Sequence, residues 1–210
     1  MQYSDLNDRL DFPATLRIRD SIACVLDNYI PNNGVLLEIG SGSGQHGVYF
    51  QNLFPSIVWQ TSDPEIEHRK SIISWIAHQG LSLKMPNPLD IDVEKRPWRI
   101  SNELKSLIKG VVCINMIHIS PWPCTTALIQ ESKKYLDKNH FLMLYGPFFR
   151  MDEQICESNL KFDQTLKSQN PLWGIRQLER VNEIAFKHGF LLDRVVHMPA
   201  NNLSVIYRQN

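Results

Sequence analysis

The sequence predicts a doubly wound α/β fold: a mostly parallel, seven-stranded sheet covered by helices on both faces and closed by a C-terminal antiparallel hairpin. Three observations predict it. Strand-like and helix-like runs alternate from Val35 to Tyr145, the pattern that βαβ units produce. The first run, Val35–Ile39, is short and apolar, as strands buried on both faces are, and it passes directly into a glycine-rich turn. Two β-like runs joined by Pro-Ala-Asn-Asn close the chain.

Each element has its own warrant. Residues 14–29 have the spacing of an amphipathic helix, with Leu16, Ile22, Ala23 and Leu26 on one side. A helix over 44–54 follows the glycine turn and stops before Pro55. A second strand is expected at 57–60. A helix over 64–79 has Pro64 in its first turn, and a short third strand is expected at 81–84. The fourth strand, 111–117, is strongly apolar. Pro123 opens a helix over 123–136, and a fifth strand covers 141–145. Residues 150–169 read as a polar helix, and 174–188 as a helix with Ile175, Leu178, Val181, Ile184 and Ala185 on one side. The hairpin runs are 190–198 and 203–208. One domain is expected, with a helical cap (1–33), cofactor-binding βα units (34–148), a helical insert or lid (149–189) and the hairpin (190–210).

Composition narrows the function classes. With 210 residues, 43% apolar and 21% charged, the chain is neither disordered nor fibrous. Its net charge of zero argues against a nucleic-acid partner, whose phosphates call for a basic face. No window approaches the roughly 18 apolar residues of a membrane span, and the start MQYSDLNDRLDF has no signal-peptide core. Cys24, Cys113, Cys124 and Cys156 form no C-x-x-C pair, and the histidines have no metal-ligand spacing. A cytoplasmic protein with reduced thiols and no metal is expected.

The most informative stretch is Glu38-Ile39-Gly40-Ser41-Gly42-Ser43-Gly44. Glycines let the backbone turn sharply and let a ligand approach without meeting a Cβ. The pattern E-x-G-x-G-x-G is similar to motif I of S-adenosylmethionine-dependent methyltransferases. Gly42, Gly44 and Gly47 also spell the dinucleotide fingerprint G-x-G-x-x-G, and Asp63 lies where either cofactor wants a carboxylate for ribose hydroxyls. Two features favour the first reading. Counted from Gly40, the dinucleotide pattern needs a small residue where Gln45 stands, and the terminal hairpin resembles class I methyltransferases rather than dehydrogenases. Candidate cofactor contacts are Glu38, Gly40, Ser41, Gly42, Gly44, His46, Asp63 and Asn115, with Asp90 for the adenine amino group. Asp63 also reads as a helix N-cap, Asp90 as a solvated loop acid, and Glu38 as the residue that orders the turn.

The blocks LLEIGSGSGQHGVYF, WQTSD, CINMIHISPW, LYGPF, SNLKFD, PLWGIRQLE and MPANN, in this order, resemble the methyltransferase-like 26 family, catalogued as domain of unknown function 938. The likeness covers nearly the whole chain, from about Phe12 to Arg208, and implies a class I methyltransferase fold with S-adenosylmethionine as cofactor and S-adenosylhomocysteine as product. It names no methyl acceptor. The family often has Arg-Asn in its first helix where this chain has Arg19-Asp20; Arg19 remains a candidate for the carboxylate of the methionine moiety. After LYGPF the family tends to glycine, and here Arg150-Met151-Asp152-Glu153 follows.

Ligands of open α/β sheets bind at the carboxyl ends of the strands. Asn115, His118 and Tyr145 are therefore expected to face the reacting centre as candidate catalytic residues, with His118 as general base, as a positioning group or as a purely structural residue. Trp122, Asn159, Trp173, Arg176, Asn201 and Asn202 are candidates for the acceptor site, with turn chemistry, capping and packing as the competing roles. The chain lacks the N-P-P-Y tetrad of amino-methylating enzymes, which favours a small-molecule acceptor. A cofactor-binding regulatory protein without turnover, and a dinucleotide oxidoreductase, stand as alternatives.

Overall fold

A computed structural model describes residues 8–210. The elements run α1 (Pro13–Leu26), β1 (Val35–Ile39), α2 (Gln45–Leu53), β2 (Val58–Gln60), α3 (Ile66–His78), α4 (Asn102–Leu107), β3 (Ile108–Ile114), α5 (Trp122–Ser132), β4 (Phe141–Phe149), α6 (Glu157–Gln169), β5 (Arg176–Gln177), α7 (Leu178–Lys187), β6 (Phe190–Met198) and β7 (Asn202–Gln209). Among the described residues the strands form one seven-stranded sheet in the order β2-β1-β3-β4-β7-β6, with the two-residue β5 beside the end of β4. The pairs from β2 to β4 are parallel; β7 runs antiparallel to both β4 and β6. The expected fold class is the observed one.

Strand register explains why both faces are apolar. Leu37 pairs with Val111, Val111 with Leu142, and Leu142 with Tyr207, so these side chains share one face. There they pack with Leu128 of α5 and Val181 of α7. The alternate residues Leu36, Val112 and Met143 meet Ile22 of α1, Phe50 of α2 and Ile72 of α3 on the other face. Strands buried on both sides favour apolar residues at nearly every position, and this accounts for the apolar runs; Glu38, the buried exception in β1, is met by side-chain donors. β6 is the edge. It exposes Asp193 and Arg194 beside a register shift, features that discourage pairing with another chain.

Several expected elements form differently. Residues 81–84 are a turn rather than a strand, with Leu83 fully exposed. The place beside β2 is taken by Leu89, which makes a single parallel bridge to Ser62. Pro86 and Pro88 have no amide hydrogen, so the ladder cannot extend upstream of that bridge. The strand expected at 111–117 instead spans Ile108–Ile114. It stops because Asn115 adopts the left-handed region at φ 59°, which asparagine tolerates better than most residues. The helix expected from residue 150 begins at Glu157; Arg150 instead pairs with Asp152 and Glu153 in the preceding loop. The short, exposed helix α4, capped where the Ser101 hydroxyl accepts the Leu104 amide at 3.2 Å, carries no apolar period that would announce it. Among the described residues no helix is long and apolar enough to cross a membrane.

Candidate functional site

The chain leaves β1 for β2 on one side and returns to β3 on the other. The crevice at the carboxyl ends of β1 and β3 is thus the switch point at which doubly wound sheets bind ligands. It holds a cavity of about 370 Å³, lined among others by Glu38, the turn 40–43, Asp63 and Asn115.

The turn is built by conformations that only glycine adopts freely. Gly40, Gly42 and Gly44 have φ of 70°, 56° and 88°. At Gly44 a Cβ would stand 2.8 Å from Cγ1 and 2.9 Å from Cα of Ile72, so this glycine also lets α3 pack against the turn. The turn is then stitched to the end of β2. The Ser41 amide donates to the Ser62 carbonyl at 2.9 Å, and the Ser62 hydroxyl donates to the Glu38 carbonyl at 2.7 Å.

Two carboxylates organise this region. Glu38 is buried, and its Oε2 accepts from Trp59 Nε1 at 2.9 Å and from the Ser41 hydroxyl at 3.0 Å. Burial pushes its pKa up to about 7 despite those two donors. Asp63 accepts the Gly42 amide on Oδ2 at 2.9 Å and the Glu65 amide on Oδ1 at 3.0 Å; His68 Nδ1 lies 3.0 Å from the same Oδ1. Asp63 therefore holds the turn and the entry to α3 together while it faces the cavity.

His46 lies in the first turn of α2, lines the cavity and stacks on Phe50 with centroids 5.5 Å apart. Its Nδ1 is buried without a partner. Burial, assisted by the Arg19 charge, lowers its pKa to about 3, so the ring is neutral.

Other expected contacts lie elsewhere. Asp90 does not line the cavity; its side chain is 70% exposed and sits 3.3 Å from Arg69. Asp92, two residues on, takes its place. Arg19 does not line the cavity either. Its guanidinium lies 4.4 Å from the Tyr49 ring centroid, and its Nε is 3.6 Å from Asp20.

Of the candidate catalytic residues, Asn115 lines the cavity, whereas His118 and Tyr145 lie outside its wall. The cause is the early end of β3. Asn115 turns the chain, the Ile119 amide closes on the Met116 carbonyl at 3.0 Å, and His118 is carried behind that turn. There His118 is 3% exposed, edge-on to Phe162 and close to Gly146. Its Nδ1 has no partner, and burial with the nearby Arg176 lowers its pKa to about 4. Tyr145 is buried, its hydroxyl is also without a partner, and burial raises its pKa to about 12.

The acceptor candidates separate into two groups. Asn159, Asn201 and Asn202 line a cleft of about 100 Å³ between the start of α6 and the hairpin turn. There Asn159 Nδ2 donates to the Asn201 carbonyl at 3.2 Å, and Asn202 Nδ2 donates to the Pro199 carbonyl at 3.2 Å. Arg176 clamps the 117–120 loop by donating to the carbonyls of Ile117, at 2.8 Å, and Ser120. Trp122 is half-buried, with Arg176 and Arg180 at 5.8 and 4.9 Å from its ring centroid; Trp173, also half-buried, closes a turn on Asn170. Met116 lines the cavity beside Asn115, as its place at the end of the apolar run suggests, whereas Phe12 and His68 line it with no sequence signal, because each reaches it from a different element.

The fold is that of the class I methyltransferases. Over 94% of its length the chain superposes on the mitomycin 7-O-methyltransferase MmcR, with TM-score 0.74 and 14% identity. It also superposes on the S-adenosylmethionine-dependent methyltransferase SibL over 93% (TM-score 0.75, 12% identity) and on human N-acetylserotonin methyltransferase in complex with SAM over 91% (TM-score 0.69, 11% identity). It covers 54%, 55% and 51% of those chains, so it spans about half their length. The chain belongs to the DUF938 family, described as a protein of unknown function, whose model matches residues 10–209.

Proposed function

We propose that this chain is an S-adenosylmethionine-dependent methyltransferase of the methyltransferase-like 26 kind, acting on a small-molecule acceptor in the cytoplasm. The observation that carries the reading is the convergence of the Glu38–Gly44 turn and Asp63 on one cavity at the switch point. The residues fit the cofactor. Three glycines keep side chains off the turn backbone, Asp63 faces the cavity as an acceptor for ribose hydroxyls, and His46 brings an unpaired ring nitrogen. Asp92 supplies the carboxylate expected of Asp90.

When bound, the cofactor supplies a methyl group on a sulfonium, already a good leaving group. The protein's task is then alignment, and proximity in well-oriented model reactions is worth up to about 7–11 kcal/mol. Asn115, held in the left-handed region with its amide on the Tyr145 carbonyl at 2.8 Å, is a fixed polar group at the β3 end of the cavity. His118 acts as a positioning residue. With a pKa near 4, charging it at pH 7 costs about 4 kcal/mol, too much for an efficient base and no obstacle to a neutral hydrogen-bonding group. Segment 149–189 serves as the acceptor lid, with Phe162 against His118 and Arg176 holding loop 117–120.

A second reading, a cofactor-binding protein without turnover, is favoured by one observation: His118 and Tyr145 are both buried outside the cavity. Incubation of the protein and a cell extract with labelled methyl donor, followed by mass spectrometry of small molecules, tests the enzyme. A labelled product that needs the protein supports turnover. Cofactor binding with no labelled product favours the second reading.

A further inference from the structure

Before α1 the chain crosses the mouth of the cofactor cavity, and its attachments fall on both sides of the glycine turn. On the α3 side, the Leu10 amide donates to Ser71 Oγ at 2.9 Å and the Leu10 carbonyl accepts from Trp75 Nε1 at 2.9 Å. The Arg9 guanidinium lies 5.2 Å from the Trp75 ring centroid. On the α2 side a single side chain does the fastening. Gln45 Oε1 accepts the Phe12 amide at 2.8 Å and the Ser43 hydroxyl at 2.9 Å, while Gln45 Nε2 donates to Asp11 Oδ1 at 2.8 Å. Gln45 is 6% exposed. A small residue here, as the dinucleotide pattern asks, would leave the segment unfastened on this side.

Between these anchors Phe12 is set down on the turn. Its Cε2 lies 3.2 Å from the position a Cβ would take at Gly42, and its ring meets His68 edge-on with centroids 6.0 Å apart. His68 is in turn held by Asp63, the carboxylate that binds the Gly42 amide. Phe12 and His68 both line the cavity. The ring thus packs over Gly42 and against His68, beside the Asp63 carboxylate that joins them.

We infer that Phe12 and His68 are cofactor-binding residues and that the strap 9–12, latched by Gln45, is a wall of the cofactor site whose opening governs cofactor release. The inference rests on the cofactor reading given above. A cofactor seated along the glycine turn would meet Phe12, which lies over Gly42, so the strap is expected to yield for exchange and close for retention.

The test is stopped-flow measurement of S-adenosylhomocysteine association and dissociation on the full chain, with Phe12→Ala, Asp11→Ala and Gln45→Ala. Phe12 is 41% exposed, so its truncation leaves the core intact even if Gln45→Ala disturbs folding. We expect dissociation to speed up about tenfold in Phe12→Ala and in Gln45→Ala, the change a lost well-made contact brings. Hydrogen exchange at the amides of Leu10 and Phe12 should slow when S-adenosylhomocysteine binds the unaltered protein. Binding by the unaltered protein, with rates within about twofold in the variants and no change in those amides, overturns this inference alone. Failure of the unaltered protein to bind S-adenosylhomocysteine overturns the cofactor reading and this inference with it.

Discussion

The amide of Gly42 donates to Asp63 Oδ2 at 2.9 Å, so the carboxylate that faces the cavity also fixes the turn that frames it. The side chain proposed to receive the ribose hydroxyls therefore also sets the shape of the loop. Replacing Asp63 with alanine removes the acceptor for the Gly42 and Glu65 amides along with the proposed ribose contact. Loss of a hydrogen bond to a charged acceptor costs about 1.5–3 kcal/mol. We expect Asp63→Ala to weaken S-adenosylhomocysteine binding about tenfold or more in titration calorimetry, with the circular dichroism spectrum retained.

Glu38 carries a pH signature. Its pKa is raised to about 7 in the folded protein, so the folded state holds this proton more tightly than the unfolded chain does. The stabilisation is present at low pH and is lost as pH rises through about 7. Glu38→Gln cannot titrate. The stability of the variant relative to the parent should rise between pH 5 and pH 8, by up to about 3 kcal/mol, as followed by urea unfolding across that range. A constant difference would show that Glu38 is not held protonated by its burial.

His118 has the opposite sign. Its folded pKa, near 4, lies below the ordinary value of 6.5, so the folded state resists protonation. Its contribution is present above pH 6.5 and is lost as pH falls toward 4. Compared with His118→Gln, the parent should lose on the order of 3 kcal/mol over that interval in urea unfolding. Once an acceptor is known, His118→Gln should keep much of the rate and His118→Ala should not, with no rate inflection near pH 6.5 in the parent. Equal loss in both variants, recovered at high pH, would instead assign the base role.

Gly44 tests the packing behind the turn. Alanine there meets a φ of 88° and places its Cβ 2.8 Å from Cγ1 and 2.9 Å from Cα of Ile72. The backbone strain alone is worth about 1–3 kcal/mol, and α3 must also shift. We expect Gly44→Ala to lower unfolding stability by at least about 2 kcal/mol in urea titration. At Gly80, φ is 66° and nothing lies within 4 Å, so alanine there should cost only the strain.

The legible parts of the fold are those whose ends carry turn residues. Val35–Ile39 and the hairpin strands could be read because apolar runs are bounded by turn residues. The third strand was misplaced because Leu81 and Leu83 alternate like a strand, while Leu81 in fact packs below the end of α3 and Leu83 faces solvent. The end of β3 was set three residues late because Met116 and Ile117 continue the apolar run; only the left-handed Asn115 ends the ladder. A ladder that ran on to Ile117 would put His118 at the cavity instead of behind the turn. In the site, the glycine turn, Glu38, His46, Asp63 and Asn115 could be read from local pattern. The choice between Asp90 and Asp92 depends on which way a non-repetitive loop faces, and Phe12 and His68 arrive through tertiary contacts that leave no local period.

The proposed cofactor of the cavity between β1 and β3 is S-adenosylmethionine. Titration calorimetry of the unaltered protein with S-adenosylhomocysteine, and separately with NADH, tests it most directly. We expect saturable binding of one S-adenosylhomocysteine per chain, weakened in Asp63→Ala, and no heat with NADH. Saturable NADH binding with none for S-adenosylhomocysteine would contradict the claim and return the glycine turn to the dinucleotide class.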